Sequence, residues 1–447
     1  MHSSRGSVVL AGLVGIIALA AAVNCASAST YKVLYLFCTG DQACPDGTAP
    51  SGNLVADSAG NLYGTTSGGG PNFSGTIFEM LKSGSTYKHR VLYSFCPQHP
   101  CTDGTNPQTA MIMDTAGNLY GTATQGGVSD RGTVFELSPD ADHKKWTFKV
   151  LINFCEQTEQ TCVEGEYPLS PLTYAGASTG VPYDGVSPLY GTTEEGGTSQ
   201  APVAGVAYRL TANGGSWTGA DLYSFCSADH CTDGAGPTGQ LMIDGSGILY
   251  GTTLGGGSGK SGGGTAYRLD TITGSQTVLH SFYANCKKTP CADGFIPGGG
   301  VIMGTQNKLY GTTSGGGKRL NGIVYAMDPT SGKEQILYTF CKKTNCADGG
   351  ENPYIPPSPL IEDSGSLIGS VAGGGIFAGN DEGIGNGVLF RLDAANKEHV
   401  LYAFCQQSNC ADGGFPVGII ADNAGHLFGI TNRGGNNDNG LVFELLP

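Results

Sequence analysis

The chain is built on one motif written seven times, and this repetition restricts its fold more than any other feature. The unit opens V-L-Y-S-F-C-x4-C-x-D-G and runs through an apolar stretch into D-x-x-G-N-L-Y-G-T-T. It closes with a glycine-rich loop and G-T-V-F-E-L. Its opening recurs at Val33, Val91, Val150, Asp221, Val278, Ile336 and Val400, and its second half at Leu62, Leu119, Leu189, Leu249, Leu309, Leu367 and Leu427. Each unit spans about 60 residues and holds four short runs rich in β-branched and aromatic residues, divided by Gly, Asp, Asn and Pro. That pattern predicts four strands with turns. Four strands at this period mark a propeller blade: one such sheet cannot cover both its faces, whereas seven around an axis cover one another. We expect an all-β, seven-bladed β-propeller of four-stranded blades, forming a single domain over residues 29–447. With the strand after each cysteine pair taken as innermost, the stretch from Val33 to Phe37 is an outer strand without a blade. It should complete the last blade, whose inner strands run from about Phe415 to Leu445.

Composition narrows the function. With 74 glycines and only 13% charged residues, the chain is poorly suited to helices, where each glycine costs about 1 kcal/mol. A net charge of −14 lacks the positive field that nucleic acid requires, so no nucleic-acid partner is expected. Ahead of the repeats, Arg5 is followed by an apolar run from Val8 to Val23 and then by Ala26-Ser27-Ala28. This order predicts a secretory signal peptide over residues 1–28 and a secreted, periplasmic or cell-surface location. The run is shorter than a membrane span needs, and Asn24 is a poor neighbour for lipidation of Cys25. No later segment could span a bilayer.

Beyond Cys25 the cysteines form seven close pairs: Cys38 with Cys44, Cys96 with Cys101, Cys155 with Cys162, Cys226 with Cys231, Cys286 with Cys291, Cys341 with Cys346 and Cys405 with Cys410. An even set in an exported chain reads as disulfides, each worth roughly 2 kcal/mol. Zinc is the competing reading, but each pair offers two sulfurs and no histidine recurs beside them. No C-x-x-C-H is present, which excludes covalent haem.

The tandem G-N-L-Y-G-T-T…G-G…G-x-V-F-E-L units resemble the GloVer-type ("choice-of-anchor") exported bacterial tandem-repeat proteins. The resemblance covers essentially all of the mature chain. It implies a surface or secreted propeller-like array and no particular reaction. The ending Glu444-Leu445-Leu446-Pro447 carries no sorting tail, so anchoring does not follow from it.

A single active site needs its residues once, so what recurs seven times belongs first to the scaffold. Tyr63, Tyr120, Tyr190, Tyr250 and Tyr310 share one blade face by alternation and are expected in inter-blade core, with the following Gly allowing a neighbouring blade to approach. The Asp-Gly after each second cysteine (Asp46, Asp103, Asp233, Asp293, Asp348 and Asp412, with Glu164 in repeat 3) is read as a turn former. A ring of carboxylates holding calcium is the weaker alternative. We expect no cofactor and no metal. Gly259-Lys260-Ser261 lacks the glycine a phosphate loop needs five positions before Gly259, where Leu254 stands. His99 and His230 are expected to be solvated. Trp146 and Trp217 are expected to precede outer strands and cover a blade edge.

Candidate binding residues are the deviations from the repeat. Repeat 3 carries Glu164, Glu166 and Tyr167, and an insertion from Tyr174 to Pro188. Repeat 6 carries Glu351, Tyr354 and a long loop with Asp381 and Glu382. Repeats 5 and 7 place Phe295 and Phe415 after the Asp-Gly. Rings beside carboxylates suit sugars, so Glu164, Glu166, Tyr167, Phe295, Tyr354 and Phe415 are predicted to form a ligand site at the channel mouth. The function expected is an exported, monomeric, non-catalytic binding or scaffold module for a glycan or a surface protein. The alternative is a carbohydrate hydrolase or lyase using Glu164, Glu166, Asp293 or Glu351. A purely structural envelope protein is a third reading.

Overall fold

The structure is a computed structural model that describes residues 30–40, 44–156, 162–199, 201, 203–259, 262–284, 292–350, 358–375 and 385–446. The expected signal peptide therefore lies outside the described residues. So do Cys286 and Cys291, and the disulfide expected between Cys286 and Cys291 is not among those the structure describes. Seven four-stranded antiparallel sheets form the blades of a propeller. Blade 1 comprises Thr48–Ala56, Leu62–Gly68, Thr76–Ser83 and Thr86–Ser94. Blades 2 to 6 cover 112–153, 173–224, 242–281, 301–339 and 361–403. Blade 7 takes Gly414–Ala421, Leu427–Arg433 and Leu441–Leu446 from the end of the chain and Thr30–Leu36 from its beginning. Thr30 pairs with Leu446 and Leu36 with Leu441, so the ring closes as expected. Among the described residues no helix is long and apolar enough to cross a membrane.

The repeated residues explain why each sheet forms and stacks. In the Leu-Tyr-Gly-Thr-Thr strand, Tyr63 and Tyr120 are only 2% exposed and lie between blades. Their hydroxyls reach back to the turn carboxylates of Asp57 and Asp114. The glycine after each tyrosine has a different role from the one expected. A Cβ on Gly64 would sit 2.5 Å from the Phe78 ring, and one on Gly121 2.7 Å from that of Phe135. Phe78 and Phe135 are the cross-strand partners of those glycines within the same blade. The glycine thus admits a ring from its own sheet, because directly opposed residues on one face are the closest side-chain neighbours in a ladder.

The insertion in repeat 3 spans two seams. Tyr183 is fully buried and bridges to Asp114 of blade 2, while Ser178 Oγ donates to the Ile243 carbonyl of blade 4 at 3.0 Å. Trp146 and Trp217 lie within the outer strands Trp146–Asn153 and Ser216–Ser224 and meet Tyr63 and Tyr120 of the preceding blades.

Candidate functional site

The cysteine loops and the glycine-rich loops share one face. Gly70, Gly127, Gly197, Gly257, Gly375 and Gly435 donate their N–H groups to the carbonyls of Cys44, Cys101, Cys162, Cys231, Cys346 and Cys410. Six disulfides are formed there among the described residues: Cys38 to Cys44, Cys96 to Cys101, Cys155 to Cys162, Cys226 to Cys231, Cys341 to Cys346 and Cys405 to Cys410.

In five repeats the aspartate after the second cysteine is held by the loop it begins and the strand before that loop. Asp103 Oδ2 accepts the Tyr93 hydroxyl at 2.7 Å and the Cys96 N–H at 2.9 Å. The tyrosines Tyr35, Tyr223, Tyr338 and Tyr402 repeat the 2.7 Å bond to Asp46, Asp233, Asp348 and Asp412. The next residue, Gly104, has φ +103°, which an L side chain rarely adopts. These carboxylates are loop clamps, as the turn reading anticipated. Asp103→Ala removes two hydrogen bonds to a charged group, each worth about 1.5–3 kcal/mol. We expect its urea midpoint to fall by the equivalent of roughly 3 kcal/mol, and an unchanged midpoint would contradict the clamp.

At the axis, residues of all seven blades enclose a cavity of about 320 Å³. It is lined by the innermost stretch of each blade, including Asn53, Gln108, Pro171, Gln240, Gly299, Pro359 and Val417, by Glu194 and Leu254 just past the end of the next strand, and by Asn432 within it. Glu194 is the one charged lining residue among the described residues, and its carboxylate accepts no hydrogen bond from them. Burial, aided by Glu195, holds its carboxyl above the usual range. Among the described residues the Gln108 and Gln240 amides are likewise free, and the Thr238 hydroxyl is buried without a partner. A wider depression of about 960 Å³ on the opposite face also includes Gln240, so the two openings adjoin.

The predicted residues do not converge on this cavity. Glu166 is held by Arg131 at 2.7 Å, and burial raises its carboxyl against that cation. Tyr167 lies beneath the same guanidinium, 5.4 Å from the ring centroid, and hydrogen-bonds it. Its carbonyl accepts the Glu194 N–H, so repeat 3 is adjacent to the cavity through its backbone. Phe415 has the matching conformation on blade 7, φ +56° against +59° for Tyr167, and sits 5.9 Å beneath Arg433. Phe295 is one residue out of step: it pairs with Gly315 and packs on Tyr283. Glu164 lines a separate cavity of about 460 Å³ at the seam of blades 2 and 3, beside Asp221 and Trp217. Tyr354 and Glu351, and the loop with Asp381 and Glu382, lie outside the described residues. Sequence reasoning missed Glu194, although Thr192-Thr193-Glu194-Glu195 is the one copy of the motif with an acid at that place.

Solved structures share the fold at low identity. The extracellular domain of the one-component system protein BT4673 from B. thetaiotaomicron aligns over 93% of this chain with TM-score 0.51 and 11% identity. The chain spans 39% of that protein's chain. A protein described as a 6-phosphogluconolactonase from Bacteroides uniformis aligns over 81% of this chain and 86% of its own, with TM-score 0.46 and 11% identity. No curated protein is significantly similar in sequence. The Gloeobacter/Verrucomicrobia repeat matches residues 22–188, 174–384 and 288–447, which together cover every blade. The chain therefore belongs to the Gloeobacter/Verrucomicrobia repeat family.

Proposed function

We propose that the protein is an exported, non-catalytic binding module whose axial cavity takes a polar, uncharged ligand, a glycan terminus or branch. The observation that carries this reading is the convergence of seven blades on a cavity with unpaired hydrogen-bonding groups: the Glu194 carboxylate, two glutamine amides and the Thr238 hydroxyl. A cavity of about 320 Å³ is at the lower end of the range for small-ligand sites, roughly 300–1,000 Å³. Glycoside hydrolysis commonly needs two carboxyl groups facing across the substrate. Glu194 has no second acid among the described lining residues, while Glu166 is tied to Arg131 and Asp293 to its own loop. The disulfides support export to an oxidising compartment.

The test is retention of the purified protein on immobilised polysaccharides, with assay of the supernatant for new reducing ends. We expect retention without products, weakened at least tenfold by Gln240→Ala and by Glu194→Gln. Products released by the protein would make it an enzyme, and retention unaffected by both variants would move the site off the axis.

A further inference from the structure

At six of the seven seams between blades the same three positions meet, the seam of blades 2 and 3 carrying Ile152 and Glu164 instead. They are the ring two residues before the Phe that precedes a cysteine loop, the clamp aspartate, and a residue of the next blade's outer strand. In three seams the last of these is a ring stacked on the first: Tyr35 on His89 at 4.0 Å, Tyr93 on Phe148 at 4.1 Å and Tyr402 on Tyr31 at 3.9 Å. Between blades 4 and 5 the three positions are His280, Asp293 and Glu334. His280 Nε2 lies 3.3 Å from Asp293 Oδ1 and 3.7 Å from Glu334 Oε2, and the three ligand atoms fall within 4.8 Å of one another.

We propose that His280, Asp293 and Glu334 bind a divalent first-row transition metal, with zinc the best match, and that the ion clamps blade 4 to blade 5. Zinc bonds of about 2.0–2.2 Å in tetrahedral geometry put neighbouring ligand atoms roughly 3.3 Å apart, so the cluster is near the required spacing without rebuilding. One imidazole with two carboxylates suits zinc better than calcium, which takes oxygen ligands, and leaves a fourth position for water. The second shell is in place: the Tyr283 N–H holds Asp293 Oδ2 at 3.0 Å and leaves Oδ1 turned to the imidazole. The side chains of His280, Asp293 and Glu334 are 21%, 18% and 12% exposed. Glu334 Oε1 is buried, and no N–H or hydroxyl among the described residues donates to it.

Two carboxylates share one imidazole here, and a divalent cation would neutralise both. At the next seam a lysine holds the corresponding acid: Glu398, at the position of Glu334, is paired with Lys343 at 2.7 Å. The other histidine grouping, Cys96, His99 and Cys101, is excluded as a metal site because its sulfurs are joined in a disulfide.

The experiment strips the disulfide-bonded protein with a chelator, reloads it with zinc chloride, desalts it, and measures zinc per chain and melting temperature. We expect one zinc per chain and a rise of several degrees. Glu334→Gln installs the residue that blade 4 uses at this position, Gln276, and His280→Tyr installs that of the flanking seams, Tyr223 and Tyr338. Both substitutions copy residues the repeat already tolerates, so both variants should fold. Each should weaken zinc binding at least tenfold and lose the thermal shift. Substoichiometric zinc in the unaltered protein would overturn the proposal, as when a lysine of the adjoining cysteine loop (Lys288, outside the described residues) supplies the charge. Equal zinc in both variants would overturn it as well.

Discussion

Deleting residues 30–37 should lower the melting temperature by on the order of 10 °C or more, and leave most of the protein unfolded under mild denaturant. The strand Thr30–Leu36 is the outer edge of blade 7 and the closure of the whole ring. Tyr31, Val33 and Leu36 pack into the cluster shared by blades 6 and 7, and Leu34, Tyr35 and Phe37 into the one shared by blades 7 and 1. Tyr31 stacks on Tyr402 and donates its hydroxyl to the Asp412 carbonyl at 2.7 Å. A fully buried apolar side chain contributes about 1.5–3 kcal/mol. Five partly buried ones, the buried Phe37 and an unpaired strand edge therefore amount to roughly 5–8 kcal/mol, against a typical total of about 5–15. If the truncated chain cannot be recovered, Tyr31→Ala reads the same closure at smaller size, about 2–4 kcal/mol. A truncated protein melting within two degrees of the full chain would mean that the ring is held shut elsewhere.

The second large effect is acid lability centred on His89. Its imidazole lies flat on Tyr35 at the seam of blades 7 and 1, with Nε2 buried and unpartnered among the described residues. Burial lowers its pKa from 6.5 to about 4, against a smaller opposing pull from Asp46. The folded state therefore favours the neutral ring. The stability it carries is intact above the unfolded value near 6.5 and is lost as pH falls toward 4. Each pKa unit is worth about 1.4 kcal/mol, so roughly 2–3 kcal/mol should disappear between pH 7.5 and pH 4.5. His89→Phe installs the residue that blade 2 has at this position, Phe148, which stacks on Tyr93 in the same way. Urea unfolding at both pH values should show the variant losing about 2–3 kcal/mol less than the parent on acidification. Equal losses would place the acid-sensitive group elsewhere.

The architecture was legible because it is specified locally and stated seven times. Alternation, turn residues and the Leu-Tyr-Gly strand each mark an element, and comparison among copies separates scaffold from variation. Pairing of near cysteines followed from their spacing and number, and the six described pairs are bonded in that way. Closure by the first strand followed from the phase of the repeat, since a chain that begins on an outer strand and ends after an inner set has one place to put it. The clamp aspartates were legible as turn formers, although their tyrosine partners were not.

The candidate sites were less legible because they are made by convergence. Strand alternation makes one residue decisive: Phe295 stands a position before the place held by Tyr167 and Phe415, so three rings that look equivalent in the chain point to different surroundings. Another seam contact was invisible for the same reason. A Cβ on Gly75, Gly132, Gly205, Gly264, Gly387 or Gly440 would fall 2.5–2.8 Å from the ring of the next blade's inner-strand proline. Two recurring turn residues of one repeat thus prove to be a contact between two blades. The chain order alone established a closed seven-bladed ring with disulfide-bonded loops, because repeated short-range patterns encode strands, turns and their number. Only the tertiary structure brought Glu194 to the axis and His280, Asp293 and Glu334 to one seam, because the repeat marks each position along the chain but not which positions of adjacent blades face one another.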